Sequence, residues 1–279
     1  MKVYDTIENE LLSDEFIKKA SEYSDYDYDL LKQYIITSIE ESKHTLKLIN
    51  HYDLKDKRIL EFGSGLGIAS IVLSSHDYDV VSFEPGGLGF EKNILVNQFI
   101  KDYFELQYEL ISDISDIEEN SFDFIFSNNV LEHIYNIKEV VMKLDISLKK
   151  SGIMIHNVPN YIVPYEPHFS ILFCPIFPKR MSFLIPKRIT DTNLWKSLNF
   201  INIFDVISYS KEAKATVAFE KELLYKTVNR IENDKEFRSR HIRLNKVINL
   251  LNKFGVIKLL KILPLSLNTP MVFEWKKNV

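Results

Sequence analysis

The sequence predicts an α/β protein organised around a mostly parallel β-sheet, and three features carry that prediction. Between residues 53 and 160 the short apolar runs "RILEF", "DVVSFE", "FDFIFSN" and "GIMIHNV" alternate with helix-length segments of mixed polarity, the rhythm of strands joined by crossover helices. Gly63, Gly65, Gly67, Gly86, Gly87, Gly89 and Gly152 all fall inside this stretch and only Gly255 lies outside it, so tight turns concentrate at strand ends, where open α/β sheets bind ligands. A chain of 279 residues with 46% hydrophobic content can also bury a sizeable core.

Residues 1–52 contain no glycine or proline and space Leu31, Ile35, Ile39, Leu46 and Ile49 at helical intervals, which predicts an N-terminal helical cap. Residues 53–279 are expected to form the main domain with two insertions. In the first, at about 159–188, Pro159, Pro164, Pro167, Pro175, Pro178 and Pro186 crowd among aromatics, which excludes a long helix or a central strand. Next, "TDTNLWKSLNF" offers Thr190 as an N-cap for a helix, and "INIFDVISY" reads as a strand. A helical insertion at about 211–263 follows, and "PMVFEWKK" reads as a last strand.

A formal net charge of −4 and a pI near 6.0 give no overall attraction to nucleic acid. Cys174 is the only cysteine, which excludes an internal disulfide and a thiolate zinc cluster and suits a reducing compartment. The opening "MKVYDTIENE" lacks the basic-then-apolar order of a secretion signal, and no apolar run approaches the roughly 20 residues that span a bilayer. A cytoplasmic protein is the expectation.

The stretch "ILEFGSGLGIAS" holds the main chemical signal. A strand ending in Glu61, followed by Gly63, Gly65 and Gly67, lets backbone amides approach a ligand where side chains would collide. A dinucleotide loop would place its third glycine at position 68, which is Ile68; the spacing argues against a nicotinamide oxidoreductase, the lesser reading.

Residues Glu61 to Gly67, "E-F-G-S-G-L-G", resemble motif I of the class I S-adenosylmethionine-dependent methyltransferases. Further stretches match in order: "VVSFEPGG", then "ISDISDIEENSFDFIFSNNVLEHI", then "LKKSGIMIHNVPN", together covering about residues 58–160. The resemblance implies a Rossmann-like seven-stranded sheet with an antiparallel last strand, here "PMVFEWKK". It implies S-adenosylmethionine as cofactor, with Glu61, Gly63, Ser64, Gly65 and Gly67 at the methionyl end and Glu84, beside Pro85, on the ribose hydroxyls. Asp113 and Ile114 would meet the adenine, and Asn128 would floor the methyl group. The loop "EPGGLGF" is richer in glycine than is usual for the family.

Methyl transfer to a hydroxyl gains from a general base. His168 in "PYEPH" is the first candidate, with Glu166 to orient it, and His133 in "LEHI" is the second; His156, inside the fifth strand, reads as a packing residue. The segment "VPNYIVPYEPHFSILFCPIFPKR" resembles that of a bacterial methyltransferase subgroup associated with glycan and surface-polysaccharide biosynthesis. Tyr161, Tyr165, Phe169 and Phe173 there offer flat faces for a ring. The acceptor implied is a small molecule, a sugar or a lipid-linked glycan, and no metal ligand set is assigned. Residues 236–263 carry Leu244, Val247, Leu250, Leu251 and Phe254 on one helical face and Arg238, Arg240, Arg243, Lys246 and Lys253 on another. Packing against the domain and peripheral contact with an anionic membrane both fit that pattern. A catalytically silent subunit that binds S-adenosylmethionine and docks on a partner or membrane is the rival from another class.

Overall fold

Helix-starting residues set the N-terminal segment. Ser13 caps α2 (Asp14–Ser24) by accepting from the Phe16 amide, and Asp27 caps α3 (Tyr28–Ile49) by accepting from the Leu30 amide. They follow α1 (Lys2–Leu11). Along α3, Leu31, Ile35, Ile39, Ser42, Thr45 and Ile49 are buried, so Thr45 takes the inward position that the spacing had given to Leu46. The computed structural model describes residues 2–87, 90–175, 178–226, 228, 248 and 256–278.

Two compact units divide the chain, the first comprising residues 1–130, 140–154 and 276–279, the second residues 131–139 and 155–275. In the first, β1 (Arg58–Phe62), α4 (Ile68–Ser74), β2 (Asp79–Phe83), α5 (Asn93–Tyr103), β3 (Glu109–Ile111) and β4 (Phe122–Asn128) follow α3. Strand β1 pairs in parallel with both β2 and β4, with Ile59 opposite Val80 on one side and Phe124 on the other. Ile59, Leu60, Glu61 and Phe62 are all buried, as expected of a parallel strand covered on both faces. Next come α6 (Ile137–Ser147) and β5 (Leu148–Val158), which runs from the first unit into the second.

The second unit holds the hairpin β6 (Tyr165–Glu166) and β7 (Ile171–Leu172), then α7 (Lys187–Thr190), α8 (Asn193–Ser197), α9 (Ile203–Ala213), β8 (Thr216–Phe219) and β9 (Met271–Lys276). The seven-stranded sheet has the order β3-β2-β1-β4-β5-β9-β8, mostly parallel with an antiparallel last strand. The α/β class and the reversed strand "PMVFEWKK" are as expected.

Three local expectations are corrected. "INIFDVISY" is helix α9, because Asn202 and Asp205 close a reciprocal capping box and Ile203, Val206 and Ser210 share a buried face. Thr192, not Thr190, caps α8, accepting from the Trp195 amide at 3.2 Å. The segment expected as wholly helical at 211–263 contains strand β8, and the charged and apolar residues named for its amphipathic helix lie outside the described residues. No described helix is long and apolar enough to cross a membrane.

Candidate functional site

The glycine loop leaves β1 and is held by the end of β2: the amides of Gly63 and Ser64 both donate to the Phe83 carbonyl, at 2.8 and 2.9 Å. Gly63 and Gly65 have φ of +75° and +56°, a region that side-chain-bearing residues avoid at a cost of roughly 1–2 kcal/mol. Their surroundings differ. A Cβ on Gly63 would stand 2.4 Å from Cγ1 of Val130, whereas one on Gly65 would meet no protein atom within 4 Å. Gly63→Ala is therefore expected to cost about 2–4 kcal/mol through clash plus backbone strain, and Gly65→Ala only the strain. Thermal melts of the two variants check this, and equal losses would contradict it.

Asn97, fully buried on α5, latches the loop. Its Nδ2 donates to Ser64 Oγ at 3.1 Å and Ser82 Oγ at 3.2 Å, while its Oδ1 accepts from the Tyr108 hydroxyl at 2.5 Å. Sequence reasoning missed this residue, since nothing in "NILVNQF" marks one asparagine as inward-facing beyond its place on the buried side of a helix.

Three carboxylates stand around the loop in different states. Glu61 is buried and accepts from the Ser70 amide at 2.8 Å and the Ser70 hydroxyl at 2.5 Å; burial pushes its pKa up to about 7 despite these bonds. Glu84 receives the amides of Gly65 at 2.7 Å and Gly86 at 3.1 Å, and burial also raises its pKa, against the pull of those amides. Asp113 is exposed and accepts from the amide and hydroxyl of Ser115 at 2.8 and 2.7 Å. Those bonds hold its pKa below the usual carboxylate range. Ile114, beside it, is exposed, as is Pro85, and Asn128 at the end of β4 is partly exposed. Leu88 and Gly89 of the glycine-rich "EPGGLGF" lie outside the described residues.

The raised Glu61 pKa makes stability depend on pH. Between the unfolded value of 4.5 and about 7 the folded chain holds a proton that the unfolded chain has released, so stability falls as pH rises through that window. The expected loss is about 3 kcal/mol. Urea melts of wild type and Glu61→Gln between pH 5 and 8 read it directly: wild type should lose stability relative to the variant as pH increases, and parallel curves would contradict the assignment.

In the second unit the histidines meet. His133, on the turn Leu131–His133, and His168, in the β6–β7 hairpin, have ring centroids 5.1 Å apart at 68°. Ser197 Oγ donates to the Leu194 carbonyl at 2.7 Å and so accepts from His133 Nδ1–H at 2.8 Å. Buried Glu166 accepts from His168 Nδ1–H at 2.6 Å, from the Phe169 amide at 2.8 Å and from the Tyr161 hydroxyl at 3.3 Å. Both imidazoles thus carry their lone pair on Nε2. Burial, with His168 adding to it, lowers the His133 pKa to about 3. Glu132, fully buried, places Oε1 3.9 Å from His133 Nε2. His156 is enclosed in β5 with Phe273 at 5.2 Å between ring centroids, and burial lowers its pKa to about 3, in keeping with a packing residue.

Behind the hairpin, Tyr161, Phe173, Trp195 and Phe200 pack as one aromatic cluster. A cavity of about 420 Å³ opens beside it, lined in part by Tyr161, Phe200, Pro175, Lys179 and Arg180.

A family model described as a methyltransferase domain matches residues 34–213. Two uncharacterized proteins from two strains of Mycobacterium tuberculosis are each 31% identical over 193 residues, covering 65% of this chain and 65% of each relative. The match thus spans just under two thirds of their length. Among solved structures, phosphoethanolamine N-methyltransferase 2 of Haemonchus contortus in complex with S-adenosyl-L-methionine aligns with a TM-score of 0.51 at 19% identity, over 86% of this chain and 52% of that one. An S-adenosylmethionine dependent methyltransferase from Mesorhizobium loti aligns with a TM-score of 0.51 at 12% identity, over 84% of this chain and 97% of that one. At such identities the likeness is one of fold.

Proposed function

Because the chain belongs to the methyltransferase domain family, we propose that it transfers a methyl group from S-adenosylmethionine to a hydroxyl oxygen of a small-molecule or glycan acceptor. One observation carries the cofactor reading. The Gly65 amide is tied to the Glu84 carboxylate at 2.7 Å, and the space a Cβ would fill on Gly65 is clear of protein for 4 Å. Backbone without a side chain next to an acceptor-only group is what an adenosyl ligand requires.

On this reading Glu84 takes the ribose hydroxyls, using lone pairs that the Gly65 and Gly86 amides leave over. Glu61, with Gly63, Ser64 and Gly67, shapes the methionyl end, where its carboxylate suits an ammonium group. Asp113 and Ile114 offer an acceptor and an apolar face to adenine, and Asn128 lies at the methyl end. Bound there, S-adenosylmethionine supplies an electrophilic methyl carbon on a sulfonium. The protein's contribution is alignment, worth roughly 7–11 kcal/mol when the reacting atoms are well placed, together with removal of the acceptor's proton.

His168 Nε2 takes that proton, and the Glu166 carboxylate on its Nδ1 steadies the imidazolium that results. Glu166 itself is held by three donors, so the base has a fixed orientation. His133, its pKa lowered to about 3, stays neutral and serves as a lone-pair acceptor beside it. His133 follows Asn128 by five positions in the chain. The aromatic faces around the 420 Å³ cavity, lined also by Lys179, Arg180 and Asp205, support a ring-bearing acceptor with polar substituents.

Calorimetric titration of the full chain with S-adenosylhomocysteine tests the cofactor reading, and transfer of an isotopically labelled methyl group to a panel of sugar and phenol acceptors tests the reaction. One-to-one binding and labelled ether product are expected. Absence of heat with both S-adenosylmethionine and its demethylated product would overturn the proposal.

A further inference from the structure

Glu132, His133 and His168 each offer one ligand atom, and these atoms all lie within 4.8 Å of one another, the one such grouping among the described residues. Their directions follow from their partners. His133 Nδ1 is committed to Ser197 and His168 Nδ1 to Glu166, so both present Nε2 lone pairs, and the third donor is the carboxylate of buried Glu132, beside a partly buried His133 and a more exposed His168. We propose that this trio is a binding site for a divalent transition-metal cation of the zinc type, with water completing the shell.

Donor chemistry selects that class. Two imidazole nitrogens and one carboxylate suit Zn²⁺ and Co²⁺, whereas Mg²⁺ and Ca²⁺ prefer all-oxygen shells. Around a tetrahedral ion with bonds of about 2.0–2.1 Å the donors stand about 3.3 Å apart. The 3.9 Å between His133 Nε2 and Glu132 Oε1 needs only a small closure. His168 supplies the remainder from a two-residue-strand hairpin, with a side chain 23% exposed.

The surroundings are also those of a metal site. Ligating histidines usually pass their other N–H to a carboxylate or hydroxyl that fixes the ring and raises its basicity, and Glu166 and Ser197 do this for His168 and His133. Three protein ligands leave an open position of the kind found in catalytic rather than structural zinc sites.

Binding itself does not depend on the proposed reaction; its effect on the reaction does. A lone pair on His168 Nε2 that holds a metal is not available to an acceptor's proton, so the metal-loaded protein should transfer methyl groups more slowly.

The test uses the full chain, stripped of metal with a chelator and titrated with Co²⁺ alone. One equivalent should develop the visible ligand-field bands of a four- or five-coordinate site, and Zn²⁺ should displace it and raise the melting temperature. Glu132→Gln and His168→Ala should each weaken Co²⁺ binding by at least about tenfold, the scale seen when a site's supporting groups are lost. A wild-type circular dichroism spectrum and a cooperative melt verify that both variants are folded. A Co²⁺ spectrum that stays that of the hydrated ion, or equal affinity in wild type and both variants, overturns the site. A protein that binds S-adenosylhomocysteine and no Co²⁺ rejects this inference alone, and one that binds Co²⁺ and neither form of the cofactor rejects the methyltransferase reading alone.

Discussion

Glu84→Ala is expected to weaken S-adenosylhomocysteine binding by about 30- to 1,000-fold while leaving the melting temperature nearly unchanged. Hydrogen bonds to a charged group are worth about 1.5–3 kcal/mol each. Two ribose hydroxyls would use two of them, less what the carboxylate gives up in rearranging around the Gly65 and Gly86 amides. A net 2–4 kcal/mol corresponds to that range of affinity. Stability should hardly suffer, because the variant escapes the desolvation cost of this buried charge, which offsets the bonds it loses to the Gly65 and Gly86 amides. Glu84→Gln is the finer probe, since its single oxygen can satisfy one loop amide but not two hydroxyls as well. Calorimetry paired with thermal melts separates the outcomes. Affinity within a fewfold of wild type would remove Glu84 from the ribose.

His168→Ala is expected to lower kcat by about 10²- to 10⁴-fold, the usual worth of a positioned general base, with cofactor affinity preserved. His168 is partly exposed and sits in a hairpin rather than in the core, so its truncation costs little packing. Two readouts distinguish a base from a residue that merely shapes the pocket. The variant's rate should climb about tenfold per pH unit as hydroxide replaces the lost base, and added imidazole should restore part of the activity. A rate equal to wild type at every pH would show that the proton leaves by another route. Buried Glu166 would act through His168: it touches Nδ1, the Phe169 amide and Tyr161, and orients the ring.

Much of the backbone around the glycine loop could be read along the chain. "ILEFGSGLGIAS" announced a strand, a bare turn and a helix start because each of these is dictated by neighbours in sequence: apolar periodicity for β1, left-handed backbone for the glycines, burial for α4. Glu84 was singled out through the family resemblance, and it directly follows the apolar strand β2. Short apolar runs without such marks were ambiguous. "INIFDVISY" fits both a two-residue and a 3.6-residue period over so few positions, and only the Asn202–Asp205 capping box resolved it as a helix.

The sequence by itself determined the α/β class and the glycine loop, since these rest on repeat patterns and turn geometry within about ten residues. Tertiary structure decided which distant groups became partners. Asn97 reaches Ser64 across 33 positions, and His133 meets Ser197 across 64. It also decided that Gly63 is bare to make room for Val130 while Gly65 has no protein neighbour to make room for. Hydrogen bonds and close contacts act over a few ångströms of space, so separation along the chain carries almost no information about them until the sheet and its hairpins are folded.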